Sequence, residues 1–290
     1  MAKSKERIFF FGRSLTDSPL ARMHERLLER GLVKKLVPIP WDAFARRAWA
    51  DPALELAADA TMQLAVGEYS AVALFSRIAA GLVHVGAPLD LIALASRIPS
   101  DEIRHADYAL RAAARFAGRD VNVPFNRTFF EKFWEKKLEI GDLDLMMLEV
   151  SAISETIAAT LLTACKEGAT EPMSRAFYAT VLADEVHHAR LGWYYLAWRA
   201  PQWTRAERQR VADRAGEYVV DIERRFWSGR DAPRRHLASA RALGVLDSPR
   251  QRIAIRRVMI DEMVPALDAL GLGASLAWKK RRRGGAKKKP

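Results

Sequence analysis

The chain carries one hexapeptide pattern twice, as Asp101-Glu102-Ile103-Arg104-His105-Ala106 and as Asp184-Glu185-Val186-His187-His188-Ala189. Each copy contains Glu-x-x-His within a long stretch whose apolar residues recur at helical spacing. Residues three apart lie on one face of a helix, so each copy directs a carboxylate and an imidazole to one point. Two other apolar stretches carry single glutamates, Glu68 in LAVGEYSAVALF and Glu155 in VSAISETIAATLL. Four carboxylates and two imidazoles on four helices suffice to bind two metal ions.

The two single glutamates lie on helix faces whose other residues are mostly apolar and therefore expected to be buried. An isolated buried charge costs several kcal/mol, so it must pair, neutralise or bind metal. A lone glutamate among alanines is usually at the edge of an apolar face, and a lone Glu-x-x-His is usually on the surface. The ordered set Glu, Glu-x-x-His, Glu, Glu-x-x-His, with intervals of 34, 53 and 30 residues, favours a shared site over four separate accidents. The apolar neighbours at helical spacing are Leu64, Ala65, Ala71, Val72 and Phe75 for Glu68, and Ala152, Ala158, Ala159 and Leu162 for Glu155.

The rest of the chain predicts an all-α protein. Apolar periodicity and breakers predict long helices over about 52–80, 88–116, 142–166, 172–200, 204–227 and 248–270, and short ones at 18–31 and 127–138. Pro99 falls inside the second long helix and is expected to bend or break it. No strand alternation is evident. We expect an N-terminal extension (1–50), one helical domain (51–275, core bundle about 52–200) and a basic disordered tail (276–290).

Composition sets further bounds. Half of the residues are hydrophobic, which excludes disorder of the main body, and no stretch of eighteen residues is free of charge or strong polarity, so no membrane span is expected. The start of the chain lacks the apolar core of a signal peptide, and the single cysteine, Cys165, fits a reducing compartment. These features favour a cytoplasmic location. Of the net charge of +12, eight positive charges lie in residues 279–290.

The Glu and Glu-x-x-His set resembles the ferritin-like di-iron carboxylate proteins, whose four-helix bundle carries a glutamate on each of two helices and Glu-x-x-His on the other two. The resemblance covers about residues 52–200. It implies that the metal ligands, and hence the catalytic residues, are Glu68, Glu102, His105, Glu155, Glu185 and His188, with Glu102 and Glu185 bridging. It also implies two iron ions, with manganese–iron as the alternative, and dioxygen as co-substrate.

The aspartate before each Glu-x-x-His supports a metal site, because a metal-bound imidazole usually donates its other N–H to a carboxylate or carbonyl. The near two-fold relation of the hexapeptides predicts a crossed arrangement in which Asp184 holds His105 and Asp101 holds His188. The alternative is that both aspartates face solvent or pair with arginines such as Arg97 and Arg104. Tyr108, one turn beyond His105, is a candidate to line the site or relay electrons.

Three functions compete. The first is an oxygenase or oxidase acting on a small organic molecule and supplied by an electron-donor protein or another reductant. The ligand spacing is similar to that of arylamine N-oxygenases related to p-aminobenzoate N-oxygenase, which carry a further histidine where this chain has Val181. The second is a ferroxidase or iron-handling protein. The third is a di-iron hydroxylase of transfer RNA.

The basic tail motivates the third function, since it would hold a nucleic acid or another anionic surface by counterion release. A solvated tail without a partner is the alternative. The sequence does not decide whether the chain forms a homodimer. It also leaves the alternative that the bundle keeps the ligand residues but serves as a non-enzymatic binding protein.

Overall fold

The computed structural model describes residues 8–11, 38–126, 139–226 and 236–281. These residues are almost entirely helical, which confirms the all-α prediction. The helices are α1 (Asp51–His84), α2 (Leu89–Ala117), α3 (Ile140–Gly168), α4 (Pro172–Arg199), α5 (Arg205–Arg225), α6 (Leu237–Ala242), α7 (residues 248–269) and α8 (Ala274–Lys279). Short 3₁₀ turns precede α1, at Trp41–Ala43 and Arg46–Ala48, and follow α4, at Ala200–Gln202.

The four long helices form two pairs. Helix α1 packs along α2, and α3 along α4. Each pair is joined by a turn of only a few residues, which makes its helices antiparallel neighbours. The pairs meet mainly through α2 and α4, and α1 also contacts the first turns of α3, Ile140–Met146. The two Glu-x-x-His helices therefore lie against each other.

The remaining helices flank these two pairs. Helix α8 packs on α5 and on the last part of α7, Val264–Ala269, while the first part of α7, Ser248–Val258, packs on α3. The short helix α6 contacts both α1 and α3. It thus connects the two pairs at one end of the bundle.

Helix starts follow from local chemistry. At the start of α4, the Glu171 carboxylate accepts hydrogen bonds from the backbone N–H groups of Met173 and Ser174, at 3.1 and 2.6 Å, and Pro172 occupies the first turn. Helix α5 begins with a capping box in which Thr204 and Glu207 satisfy each other's backbone N–H groups. These caps explain why the predicted starts of α4 and α5 agree with the structure.

Two helices contain a wider, π-type segment. In α3 it is Met147–Ser154, directly before Glu155, and in α7 it is Met259–Met263. A π segment inserts an extra residue into the helical repeat and is frequently found at functional sites. Apolar periodicity does not reveal such a segment, because the residues on either side of it keep their helical spacing.

Several predictions about local structure were wrong. Two four-residue strands, β1 (Ile8–Phe11) and β2 (Val123–Asn126), pair antiparallel, although four residues are too few to show alternation. Helix α2 is not broken at Pro99, because its extensive packing against α1 outweighs one lost hydrogen bond; whether Pro99 bends the helix stays a prediction. The short helices α6 and α8 were not predicted, and α8 includes the first residues of the predicted tail. The predicted helices at 18–31 and 127–138, and the tail beyond 281, lie outside the described residues.

The apolar core consists of two separate clusters, one toward each end of the bundle. On α1, the first cluster takes residues 71–82 and the second takes residues 53–65. On α4, the first takes residues 191–200 and the second takes residues 173–181. The core is therefore interrupted at mid-height.

Helices α1 and α3 are also apolar enough to cross a membrane by length and composition, with mean hydropathies of 1.3 and 1.5 over their most apolar windows. Core helices of soluble proteins pass the same test. Only 33% and 39% of those windows are buried within the described structure, which leaves much apolar surface on both helices.

Candidate metal centre

The predicted ligands lie at the level where the two apolar clusters separate. Glu68 falls between the two cluster segments of α1, and the hexapeptides fall between those of α2 and α4. On α3, Glu155 lies beside the boundary, two residues before Ile157, the last member of the first cluster on this helix. The six side chains thus form a polar layer across the bundle, here called the ligand layer.

Four side chains form the centre of this layer. Ligand atoms of Glu102, His105, Glu185 and His188 all lie within 4.8 Å of one another. His105 Nδ1 is 2.9 Å from Glu185 Oε1 and 3.7 Å from Glu102 Oε2. His188 Nδ1 is 3.0 Å from Glu102 Oε1 and 3.3 Å from Glu185 Oε2. Each carboxylate therefore presents one oxygen to each imidazole, as expected of a pair of bridging ligands.

The donor atoms of this centre have no hydrogen-bond partners among the described residues, although all are buried. The atoms are both carboxylate oxygens of Glu102 and of Glu185 and the Nδ1 atoms of His105 and His188. Buried polar groups are nearly always hydrogen-bonded, and six that converge on one space without a partner require an explanation. A bound cation supplies one, because carboxylate oxygen and imidazole nitrogen are the ligands that iron, manganese and zinc accept. The residues present fit a metal centre.

Glu68 and Glu155 reach the same centre from α1 and α3. Glu68 Oε2 lies 3.7 Å from His105 Nδ1, and Glu155 interacts with Glu185 and His188. Burial, together with the carboxylates of Glu185 and Glu102, raises the pKa of both Glu68 and Glu155 well above the usual range for glutamate. These two groups therefore favour the protonated form when no cation is present.

The histidines hold protons in the same way. Burial disfavours the imidazolium form, but the facing carboxylates, Asp184 first for His105 and Glu185 first for His188, raise the pKa of both histidines well above the usual value. Glu102 and Glu185 are also buried, yet His188 lowers the pKa of both below the usual value. Metal ligands must be deprotonated, so cations binding here would replace these protons.

The aspartates stand in the crossed arrangement. His105 Nε2 lies 3.2 Å from Asp184 Oδ2, and His188 Nε2 lies 3.6 Å from Asp101 Oδ2, the longer distance exceeding a hydrogen bond. Arg104, with no exposed side-chain surface, donates to both aspartates, at 2.6 Å to Asp101 and 2.5 Å to Asp184. Asp184 therefore pairs with both His105 and Arg104, whereas Asp101 faces His188 without a hydrogen bond and pairs with Arg104.

The two hexapeptides differ at the position of this arginine. Arg104 is fully buried, whereas its counterpart His187 is half-buried. One arginine thus serves both aspartates, and it ties α2 to α4 beside the ligand layer.

The π segment of α3 lies directly against α4. Ser151 Oγ donates a 2.6 Å hydrogen bond to the backbone carbonyl of His188. A side-chain carbon placed on Gly192 would stand 2.2 Å from the backbone nitrogen of Ala152. This close approach positions Glu155, the residue that follows the segment, beside Glu185. Sequence reasoning missed Ser151 and Gly192, which are recognisable only as small residues one turn from ligands.

Other residues singled out from the sequence have different surroundings. Tyr108 packs edge-on against Trp41, with ring centroids 5.9 Å apart, beside the second apolar cluster, and its role at the site stays a prediction. His84 is exposed, and Val181 is buried in the same cluster as Tyr108. Gly67, where a close backbone neighbour was expected, has no atom within 4 Å of the place a side-chain carbon would take.

Comparisons with protein-family models, with curated proteins and with solved structures find no match to this chain. The assignment therefore rests on the structure, whose described residues are almost entirely helical and contain a buried Glu/His cluster compatible with a dimetal site.

Proposed function

We propose that this chain is a ferritin-like dimetal oxidoreductase that activates dioxygen to oxidise or hydroxylate a small organic molecule. Its metal ligands are the six residues of the ligand layer. Two irons, or manganese and iron, are the ions that suit four carboxylates and two imidazoles. A reductant or an electron-donor protein supplies the electrons that each turnover consumes.

One observation carries the proposal. The carboxylates of Glu102 and Glu185 each present one oxygen to each imidazole Nδ1, and these donor atoms are buried without hydrogen-bond partners. A mononuclear site would not need two carboxylates that both span the two histidines. A structural polar cluster would align its donors with its acceptors, whereas the contacts of 2.9–3.7 Å between the Nδ1 atoms and these carboxylates lack hydrogen-bond geometry.

Each residue has a distinct role in this scheme. When bound, the metal pair supplies the electrons and the Lewis acidity needed to reduce dioxygen. Asp184 accepts the Nε2 proton of His105 in a hydrogen bond, which fixes the tautomer that leaves Nδ1 free to bind metal. Arg104 donates hydrogen bonds to Asp184 and Asp101 and so orients both carboxylates.

The test begins with metal content. Protein purified without chelators should contain two equivalents of iron or manganese per chain by mass spectrometry. Aerobic addition of ferrous iron to metal-free protein should produce a charge-transfer absorption band and consume dioxygen. Glu102→Ala and Glu185→Ala should lose two-metal loading because each removes a ligand shared by both ions.

Glu155→Ala and Glu167→Ala form a matched pair on α3. Glu155 is buried in the ligand layer and Glu167 is exposed. Only the first substitution should impair metal loading. Two-metal loading that persists in Glu102→Ala and Glu185→Ala would refute the ligand assignment. Uptake of far more than two irons per chain would favour an iron-handling function over an oxygenase function.

A further inference from the structure

Helices α1 and α3 make most of their close backbone contacts at one place, and a short helix bridges them at another. The first turns of α3, Ile140–Met146, contact α1, and helix α6 contacts both α1 and α3. Between these places, the main partner of α1 is α2, and the main partner of α3 is α4. The stretches of α1 and α3 around Glu68 and Glu155 therefore share few close backbone contacts, and this side of the bundle is here called the α1–α3 window.

The walls of this window are apolar. Between Asp59 and Arg77 on α1, the only charged residue is Glu68. Between Glu149 and Lys166 on α3, the only charged residue is Glu155. The residues one turn from these glutamates include Leu64, Val72, Ala158 and Ala159, and all four are half-buried.

The ligand layer is open toward the same side. Glu68 and Glu155 keep 8% and 9% of their surface exposed, whereas Glu102, His105, Glu185 and His188 keep no more than 1%. The two residues with residual exposure are those contributed by α1 and α3. Solvent therefore approaches the centre past these two helices and not between α2 and α4.

We propose that the α1–α3 window admits an uncharged, predominantly apolar small molecule to the metal centre, and that this is the substrate class of the protein. The inference rests on the proposed function. Apart from Glu68 and Glu155, which the proposed function assigns to the metal ions, these walls carry no charge, so a charged molecule would lose its hydration on entering and find no free counter-ion there. An apolar molecule gains by leaving water, at roughly 25 cal/mol per Å² of buried surface.

Two other occupants fit the window less well. An anionic membrane surface attracts basic proteins, but residues 1–200 contain 25 basic and 25 acidic residues, and the whole net charge of +12 lies in residues 201–290. A second copy of the chain would require projecting apolar side chains. The large exposed apolar side chains of the described residues lie elsewhere: Val83, Leu89, Ile103, Val186, Tyr194, Ile253, Ile260 and Leu276.

The test uses the complete, metal-loaded chain and equilibrium dialysis with naphthalene and naphthalene-2-sulfonate. We expect one naphthalene per chain and much weaker binding of the sulfonate. Val72→Lys places a charge at the window, and Val83→Lys places the same charge on the same helix about 16 Å further along, where the side chain is 62% exposed. Val72→Lys should weaken naphthalene binding at least about tenfold, and Val83→Lys should leave it within about twofold.

Ala159→Lys, on the opposite wall, repeats the test independently of the stability of the first variant. The inference is overturned if metal-loaded wild type does not bind naphthalene, or if Val72→Lys and Val83→Lys behave alike. It is also overturned if Val72→Lys instead dissociates a dimer in sedimentation, or abolishes cosedimentation with phosphatidylcholine vesicles. Metal content and dioxygen consumption are measured on the same samples. A wild type that loads two metals but rejects naphthalene refutes only this inference, whereas one that loads none refutes the proposed function.

Discussion

Gly192→Ala adds one methyl group where α4 meets α3, and the structure sets the consequence. The new carbon would lie 2.2 Å from the nitrogen and 2.6 Å from the Cα of Ala152, against 3.4 Å or more for an ordinary contact. Both atoms are backbone, so no side chain can rotate away. Helix α3 must move outward by about 1 Å, and with it the Ser151 bond to His188 and the position of Glu155.

The cost has two opposing parts. Overpacking a filled interface typically costs about 1–3 kcal/mol, and rigid backbone on the opposing side favours the upper value. Replacing glycine by alanine inside a helix stabilises the folded state by about 1 kcal/mol through higher helix propensity. We expect Gly192→Ala to lower the free energy of unfolding by about 2 kcal/mol, measured by urea denaturation of the metal-free protein. It should also weaken metal loading, because a ligand displaced by about 1 Å no longer meets its partners.

Gly67→Ala is the matched control. Gly67 is also inside a long helix, next to ligand Glu68, but a carbon added there meets no atom within 4 Å. The helix-propensity gain should then appear alone, raising the free energy of unfolding by about 1 kcal/mol with metal loading intact. If Gly192→Ala is as stable as Gly67→Ala and binds two metals, the close approach of α3 and α4 does not position the site.

Two further outcomes follow from buried groups. Arg104→Met should lower the free energy of unfolding by about 3–5 kcal/mol, since it leaves the carboxylates of Asp101 and Asp184 buried without their cation; a loss below 1 kcal/mol in urea denaturation would contradict this role. Burial raises the pKa of the Cys165 thiol to about 12, so its alkylation by iodoacetamide at pH 8 should be about a thousandfold slower than that of a free cysteine, and a rate near that of glutathione would show the thiol to be accessible and normal.

Much of the fold was predictable because its information is local. Glu171-Pro172 begins α4 and Thr204 begins α5, each through capping chemistry written within four residues, whereas α1 has no side-chain cap and begins with Pro52 in its first turn. The π segment of α3 was not predictable, since its extra residue is accommodated by packing against α4 and α5. The strand pair joins residues more than a hundred positions apart, and no local pattern encodes that pairing.

The candidate site was likewise predictable only in part. Glu-x-x-His spacing on a helix fixes which side chains share a face, so the convergence of His105 and His188 follows from sequence. The double role of Arg104 depends on the relative height of α2 and α4, which tertiary contacts alone determine. The orientation of the window depends on how far α1 stands from α3, and residue types carry no information on that distance.

The division of the core by the ligand layer has a mechanical consequence. Helices α1 to α4 each contribute residues to both apolar clusters. Neither cluster can therefore form without the helices that build the other. When no cation is present, the boundary between them is a layer of buried protonated glutamates and imidazolium–carboxylate pairs, and the cost of desolvating these groups acts on all four helices at once. Removal of the metal by a chelator should therefore destabilise the ligand layer before the two ends of the bundle. Amide hydrogen exchange should accelerate first around Glu68, Glu102, Glu155 and Glu185, while both ends stay protected.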